Sequence, residues 1–266
     1  AAVVVVCVVC CCAGGGFCAA AEATSNLSAI ATVLNTSNGS GYVFAGQNST
    51  EPPITDSSSI TTSSLATQIA SLVSNLSTSG ASSVLDDATT ASADNTSGTS
   101  LFSSDLSVSG TDASALQSKI VTGDNTTVGV GIVATQSVTS SSATSPSTGS
   151  PIRDLIRDMM VVSSLKGMTS SSTGFTDLVS KLRTSIQSTV SQLTDMETSV
   201  GVTQNALTAR STLLTNMNLS LITQLSNARD ANYAVTASQL SDLNLRLQAS
   251  YTLVADMKDM TLASYI

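Results

Sequence analysis

The side chains that could do chemistry in this chain are few. The 266 residues carry 10 Lys and Arg, 18 Asp and Glu, and no His. Without His the commonest general base and metal ligand are missing. Ser is everywhere, but no ordinary Ser-His-Asp arrangement can be built, and nothing singles out Lys166 or Lys181 as a serine-activating base. Asp86-Asp87 lies in Ser/Thr-rich sequence and reads as a solvated turn. All five cysteines fall at Cys7, Cys10, Cys11, Cys12 and Cys18, whereas a disulfide framework would be spread along the chain. Their adjacency also lacks zinc-ligand spacing. Gly129-Val130-Gly131 is not followed by a third glycine and a helix, so it is no dinucleotide fingerprint. The densest charge is the repeat Arg153-Asp154 and Arg157-Asp158. A catalytic carboxylate or anion site is one reading; the expectation here is a solvated helix face with local salt bridges. Neither an enzyme nor a cofactor or metal centre follows from these residues: catalytic, none; metal, none; cofactors, none.

The elements around them point to assembly. Phe175, Leu178, Val179, Leu182, Ile186, Val190, Leu193, Met196 and Val200 recur at steps of three and four and mark one stripe of a helix. The stripe resumes through Leu207, Leu214, Met217, Leu221 and Leu225, and again through Leu240, Leu243, Leu247, Tyr251, Val254 and Met257. No proline interrupts Phe175 to Ile266, and its only glycine is Gly201. About 90 helical residues would span roughly 130 Å, against about 40 Å for a compact domain of this size. Such a tract folds back, pairs with another helix or builds something elongated. Its outer face is Ser, Thr, Asn and Gln rather than Glu and Lys; Ser and Thr are mediocre helix formers, and few i,i+4 charge pairs add support. Its stability must come from burying the stripe against partners.

Composition narrows the partners. The net charge of −8 gives no basic footprint for nucleic acid. Ala1–Ala23 (AAVVVVCVVCCCAGGGFCAAAEA) is apolar, but it has neither a basic region nor an unbroken span, so neither a secretory signal nor a membrane helix is expected. It is expected to stand where an N-terminal helix would.

Along the chain, Leu27, Ile30, Val33 and Leu34 predict a short helix ending at Asn35 to Gly41, and Tyr42–Gly46 a brief extended run before Pro52-Pro53. Asp56 to Asn95 reads as Ser/Thr-rich surface with a weak helical section over Ile60 to Leu76. Leu101 to Ser109 reads as a strand. Lys119 to Thr135 reads as a β-hairpin with one face buried, turning at Gly123-Asp124-Asn125. Ser137 to Gly149 is a linker, and Ser150-Pro151 starts a helix with Ser as N-cap. The expected class is mainly α with a smaller β region.

Three motifs in order carry a resemblance. Leu34-Asn35-Thr36 through Gly41-Tyr42-Val43-Phe44-Ala45-Gly46, with Glu51-Pro52-Pro53-Ile54, resembles the "LNT…G-Y-x-F-x-G…PP" signature of flagellin-like proteins, notably the hook–filament junction type. Pro151-Ile152-Arg153-Asp154-Leu155-Ile156 resembles the helix start after their small β region. Leu247-Gln248-Ala249-Ser250-Tyr251 through Thr261-Leu262-Ala263-Ser264-Tyr265-Ile266 is similar to their ending. The resemblance implies an extracellular structural subunit of the bacterial flagellum, serving motility and leaving the cell by type III export without a cleaved signal. It implies an elongated shape, with long antiparallel helices forming a coiled-coil rod and an outer Ser/Thr-rich, β-containing domain. Residues 24–44 would end the N-terminal rod helix. Residues 45–150 would form the outer region, 151–228 the helical rod and 229–266 the inner-core helix. Its partners would be itself, as a helical homopolymer, neighbouring axial proteins and an export chaperone, with neither nucleic acid nor membrane. The expected assembly interface is Leu240, Leu243, Leu247, Tyr251, Val254, Met257 and Leu262. A chain of this composition also fits a secreted Ser/Thr-rich adhesin with a coiled-coil stalk.

Overall fold

A computed structural model describes residues 16–123, 126–138 and 146–259. The chain is mainly helical with one small antiparallel sheet. In order come α1 (Gly16–Leu34), a 3-10 turn (Ile60–Thr62), α2 (Ser64–Ser74), α3 (Leu76–Ala93), α4 (Gly110–Ala115), β1 (Ser118–Gly123), β2 (Thr126–Val130), α5 (Pro151–Ser164) and α6 (Phe175–Asp259). The chain divides into two units, residues 1–205 and 206–266. The Cys7 to Cys12 cluster, Asp124-Asn125 and the ending from Thr261 lie outside the described residues.

The first unit is a helical bundle. Helix α1 packs on α5, α2 packs on α3, and both α2 and α3 pack on α5. Leu27, Ile69, Val73, Ile156 and Met159 meet in the core, joined by Leu178, Leu182 and Ile186 from the start of α6. The N-terminal third of the expected α6 stripe is thus core. Asn35 ties the end of α1 to this core: its amide donates to the Ile54 carbonyl and accepts from the Ile54 N–H, both at 2.9 Å. The Ile54 side chain is completely buried.

Asp56 to Asn95 is not a weakly structured surface. Leu65, Ile69, Val73 and Leu76, then Ala81, Val84, Leu85 and Ala88, are buried at helical spacing. Ser63 caps α2 by accepting from the Ala66 N–H. Small Ala and Ser residues thin the apolar signal in α3, where Ala81, Ala88 and Ser92 are nonetheless buried. Gly80 (φ 79°, ψ 159°) breaks α3 near its start, a conformation open to glycine.

Leu101 to Ser109 is not a strand. Only Phe102 bridges, to Ile54. Ser100 accepts from the Phe102 N–H, and the Ser107 hydroxyl donates to Phe102 and Ser103 carbonyls. These local side-chain bonds replace a ladder, while Leu101, Phe102 and Leu106 still reach the core. The Tyr42–Gly46 run makes one bridge, Tyr42 to Ser37, and then turns.

The hairpin forms, with Ser118 opposite Val130 and Ile120 opposite Val128. Its expected buried face does not. Val121 is 69% exposed, and the strand stops at Val130. The alternation continuing to Ala134 belongs to a segment past the strand, where Val133 and Ala134 enter the core. Gly46 holds this region together. Its φ is +72°, and a Cβ there would lie 2.5 Å from the Leu116 carbonyl oxygen, the acceptor of the Gln47 N–H. Gly46→Ala is expected to cost about 1–3 kcal/mol in urea unfolding, combining the unfavourable φ with that clash.

Candidate assembly surface

The second unit is described over residues 206–259, all of them helix α6. The expected interface residues share this helix. Leu240, Leu243, Leu247, Tyr251, Val254 and Met257 fall within an arc of roughly 120° at about 100° per residue. All six are exposed, from 46% at Leu247 to 72% at Tyr251. Leu262 lies outside the described residues. Ile222 and Tyr233 fall on the same arc, and both are exposed; the stepwise count of three and four passed over them.

Apolar side chains also stand elsewhere on the helix. Leu245 projects from the side opposite the stripe, with Leu213, Leu219 and Leu253 at intermediate angles, and all are exposed. A helix apolar on several sides is one that neighbours surround. The polar positions are compatible with such burial. The hydroxyls of Thr212, Thr215, Thr223, Thr236 and Thr252 donate to carbonyls four residues back. They bring their own hydrogen-bond partners, so a dry contact would strand none of them. Arg246–Asp242 is an exposed i,i+4 ion pair at 3.0 Å.

In the first unit, the charged repeat is not a solvated face. Arg153, Asp154, Arg157 and Asp158 are 4%, 1%, 0% and 0% exposed. The reason is legible in α5 itself. Between Pro151 and Val162 every residue outside the two Arg-Asp pairs is apolar, so no side of the helix is left for water. Arg157 donates to Asp158 from Nε (2.9 Å), to the Thr89 hydroxyl and Asp154 from Nη1 (2.8 and 3.2 Å) and to the Ser185 hydroxyl from Nη2 (2.6 Å). Ser185 in turn donates to Asp158 at 2.7 Å. Asp154 accepts from the Thr148 N–H and hydroxyl and from the Ser147 hydroxyl. It takes the anchoring role expected of Ser150, whose hydroxyl makes no cap bond. Arg153 donates to the carbonyls of Ser92, Leu106 and Val108 and to Asn95, and its guanidinium lies 5.1 Å from the Phe102 ring centre. Burial lowers its pKa to about 10, so it stays charged at neutral pH.

The network around Arg157 joins α3, the turns before α5, and the start of α6. The Ser185 proton is already given to Asp158 and its oxygen already accepts from Arg157, so the group works as a fastener. Burial pushes the Asp158 carboxyl up to about 6, against the pull of Arg157 and the Ser185 hydroxyl, with Asp154 adding to the rise. The unfolded carboxyl ionises near its ordinary value of about 3.9. Asp158 therefore favours the folded state most at low pH, and this contribution is lost as pH rises from about 4 to about 6. Asp158→Asn is expected to flatten that segment of a stability-versus-pH curve, measured by urea unfolding of the folded variant.

Among the described residues, no group of three or more His, Cys, Asp or Glu is placed to hold a metal ion, and no helix is long and apolar enough to cross a membrane. The chain matches no protein-family model, no curated protein and no solved structure.

Proposed function

We propose that this chain is a structural subunit of the bacterial flagellum that polymerises through its helices. The observation that carries the reading is the helix over residues 206–259, whose large apolar side chains are exposed on several sides. An isolated helix of this Ser/Thr-rich composition is marginal in water. Exposed apolar surface of this extent marks an interaction site. Closed packing of Leu240, Leu243, Leu247, Tyr251, Val254 and Met257 around a common axis would remove it from water. In this reading long antiparallel helices form an elongated coiled-coil rod, and the Ser/Thr-rich region over 45–150 lies outside it. The order of the three sequence motifs supports the flagellar assignment, with a filament or hook-junction role, extracellular placement and export by the type III route. The partners are further copies, neighbouring axial proteins and an export chaperone. The role is mechanical, serving motility, with no catalysis.

Electron microscopy of native material bearing a label on this chain tests the reading. Label along helical tubes, or confined to the hook–filament boundary, is the expected result. Label on short stalks or on discrete particles would overturn it in favour of a coiled-coil adhesin.

A further inference from the structure

Asn38 is the only asparagine of the chain that is followed by glycine. It stands in the turn after α1, where residues 36–40 are all exposed. Such a pair can react with itself: the Gly39 nitrogen can attack the carbonyl carbon of the Asn38 side chain. Gly39 has no Cβ to shield that nitrogen, and its φ of +87° is open to glycine.

The folded turn holds both reacting groups. Asn38 Oδ1 accepts from the Ser40 N–H at 3.0 Å and from the Gly41 N–H at 3.2 Å. The Gly39 N–H donates to the Ser37 hydroxyl at 3.2 Å. The Asn38 N–H donates to the Gly41 carbonyl at 3.1 Å, and Ser37 bridges to Tyr42, which closes the turn. Gly41 packs tightly on Ser49, whose carbonyl accepts from the Tyr42 N–H at 2.8 Å. A Cβ on residue 41 would lie 2.5 Å from the Ser49 Cβ and 2.8 Å from that carbonyl oxygen. Ring closure at Asn38 must free the Gly39 nitrogen and release Oδ1 from its two donors. These bonds are exposed and local, so they open without unfolding the core.

We propose that Asn38–Gly39 is a site of spontaneous deamidation and isomerisation, gated by this turn. In the opened turn the Gly39 nitrogen gives up its proton and bonds to Asn38 Cγ. The side-chain amide takes up a proton and leaves as ammonia, closing a five-membered imide. Water then adds to one of the two imide carbonyls and opens the ring to aspartate or to β-linked aspartate. One water enters and one ammonia leaves, with no oxidant or cofactor. The β-linked product puts one more carbon into the main chain, and either product adds a negative charge. This chemistry needs no assembled partner.

The test incubates the full chain in buffer and in guanidinium chloride at one pH and temperature. Mass spectrometry of the peptide bearing Asn38 follows amide-to-acid conversion, and an isoaspartyl methyltransferase reads the β-linked product. Conversion at Asn38 is expected in both states, about tenfold or more slower in the folded chain, since three weak bonds must open together. Gly39→Ala is expected to suppress it in both, because a methyl group then crowds the nitrogen. Gly41→Ala forces residue 41 off Ser49 and is expected to speed the folded-state reaction by about threefold or more. Circular dichroism checks that this variant stays folded; if it does not, Ser37→Ala, which frees the Gly39 N–H, reads the same gate. No conversion at Asn38, a folded rate equal to or above the denatured one, conversion undiminished by Gly39→Ala, or a folded gate variant no faster than the parent would each overturn the proposal.

Discussion

Leu247→Asp is expected to abolish polymerisation while leaving the first unit folded and the chain soluble, essentially monomeric at low micromolar concentration. Leu247 lies in the middle of the stripe from Leu240 to Met257 and is exposed in the single chain. The substitution therefore costs the monomer little. In a closed contact it removes a buried leucine, worth about 1.5–3 kcal/mol, and adds a carboxylate that must be desolvated. A loss of about 3 kcal/mol per contact raises the critical concentration roughly a hundredfold. Leu247→Ile, which keeps volume and apolarity, is expected to assemble nearly as well as the parent. Pelleting across a concentration series reads both variants. An unchanged critical concentration for Leu247→Asp would remove the stripe from the interface.

The second large effect lies in the first unit. Arg157→Ala is expected to destabilise it by about 3–5 kcal/mol, the usual result of removing one partner from a buried charge cluster. The arginine is fully buried, and its loss leaves the Asp154 and Asp158 carboxylates without the countercharge that pairs them and takes a donor from the hydroxyls of Thr89 and Ser185. Replacing the pair, as Arg157→Met with Asp158→Leu, is expected to recover much of the loss because no isolated charge remains at Asp158. Urea unfolding followed by circular dichroism measures both variants. If Arg157→Ala were within about 0.5 kcal/mol of the parent, as surface substitutions usually are, the cluster would not be a structural fastener.

These two sites differ in how far the sequence announces them. The α6 helix from Phe175 is plain in its spacing, because Leu, Val and Met stand out against a Ser/Thr background. The start of α5 at Pro151 is equally legible. The burial of α5 was also written in the sequence, but in what is absent: no polar residue other than the charged pairs stands between Pro151 and Val162. Their uncharged partners, Thr89, Thr148 and Ser185, lie far apart in sequence, and only the fold brings them together. Helices α2 and α3 give a weak signal because Ala and Ser fill much of their length and dilute the buried stripe of Leu65, Ile69, Val73, Leu76, Val84 and Leu85. At Leu101 to Ser109, alternation of apolar and polar residues imitated a strand that serine-to-backbone bonds prevent. The hairpin's exposed Val121 lay beyond reach, since alternation gives the two faces of a strand but not which one the core covers.

The central claim is that the helix over residues 206–259 loses its exposure when copies assemble. Amide hydrogen exchange compares it directly in monomer and polymer. A marginal, uncovered helix exchanges quickly, and packing on neighbours slows it. The account predicts that amides from Leu240 to Met257 exchange within seconds in the monomer and at least about a hundredfold more slowly in the assembled state. Equal exchange in the two states would contradict it.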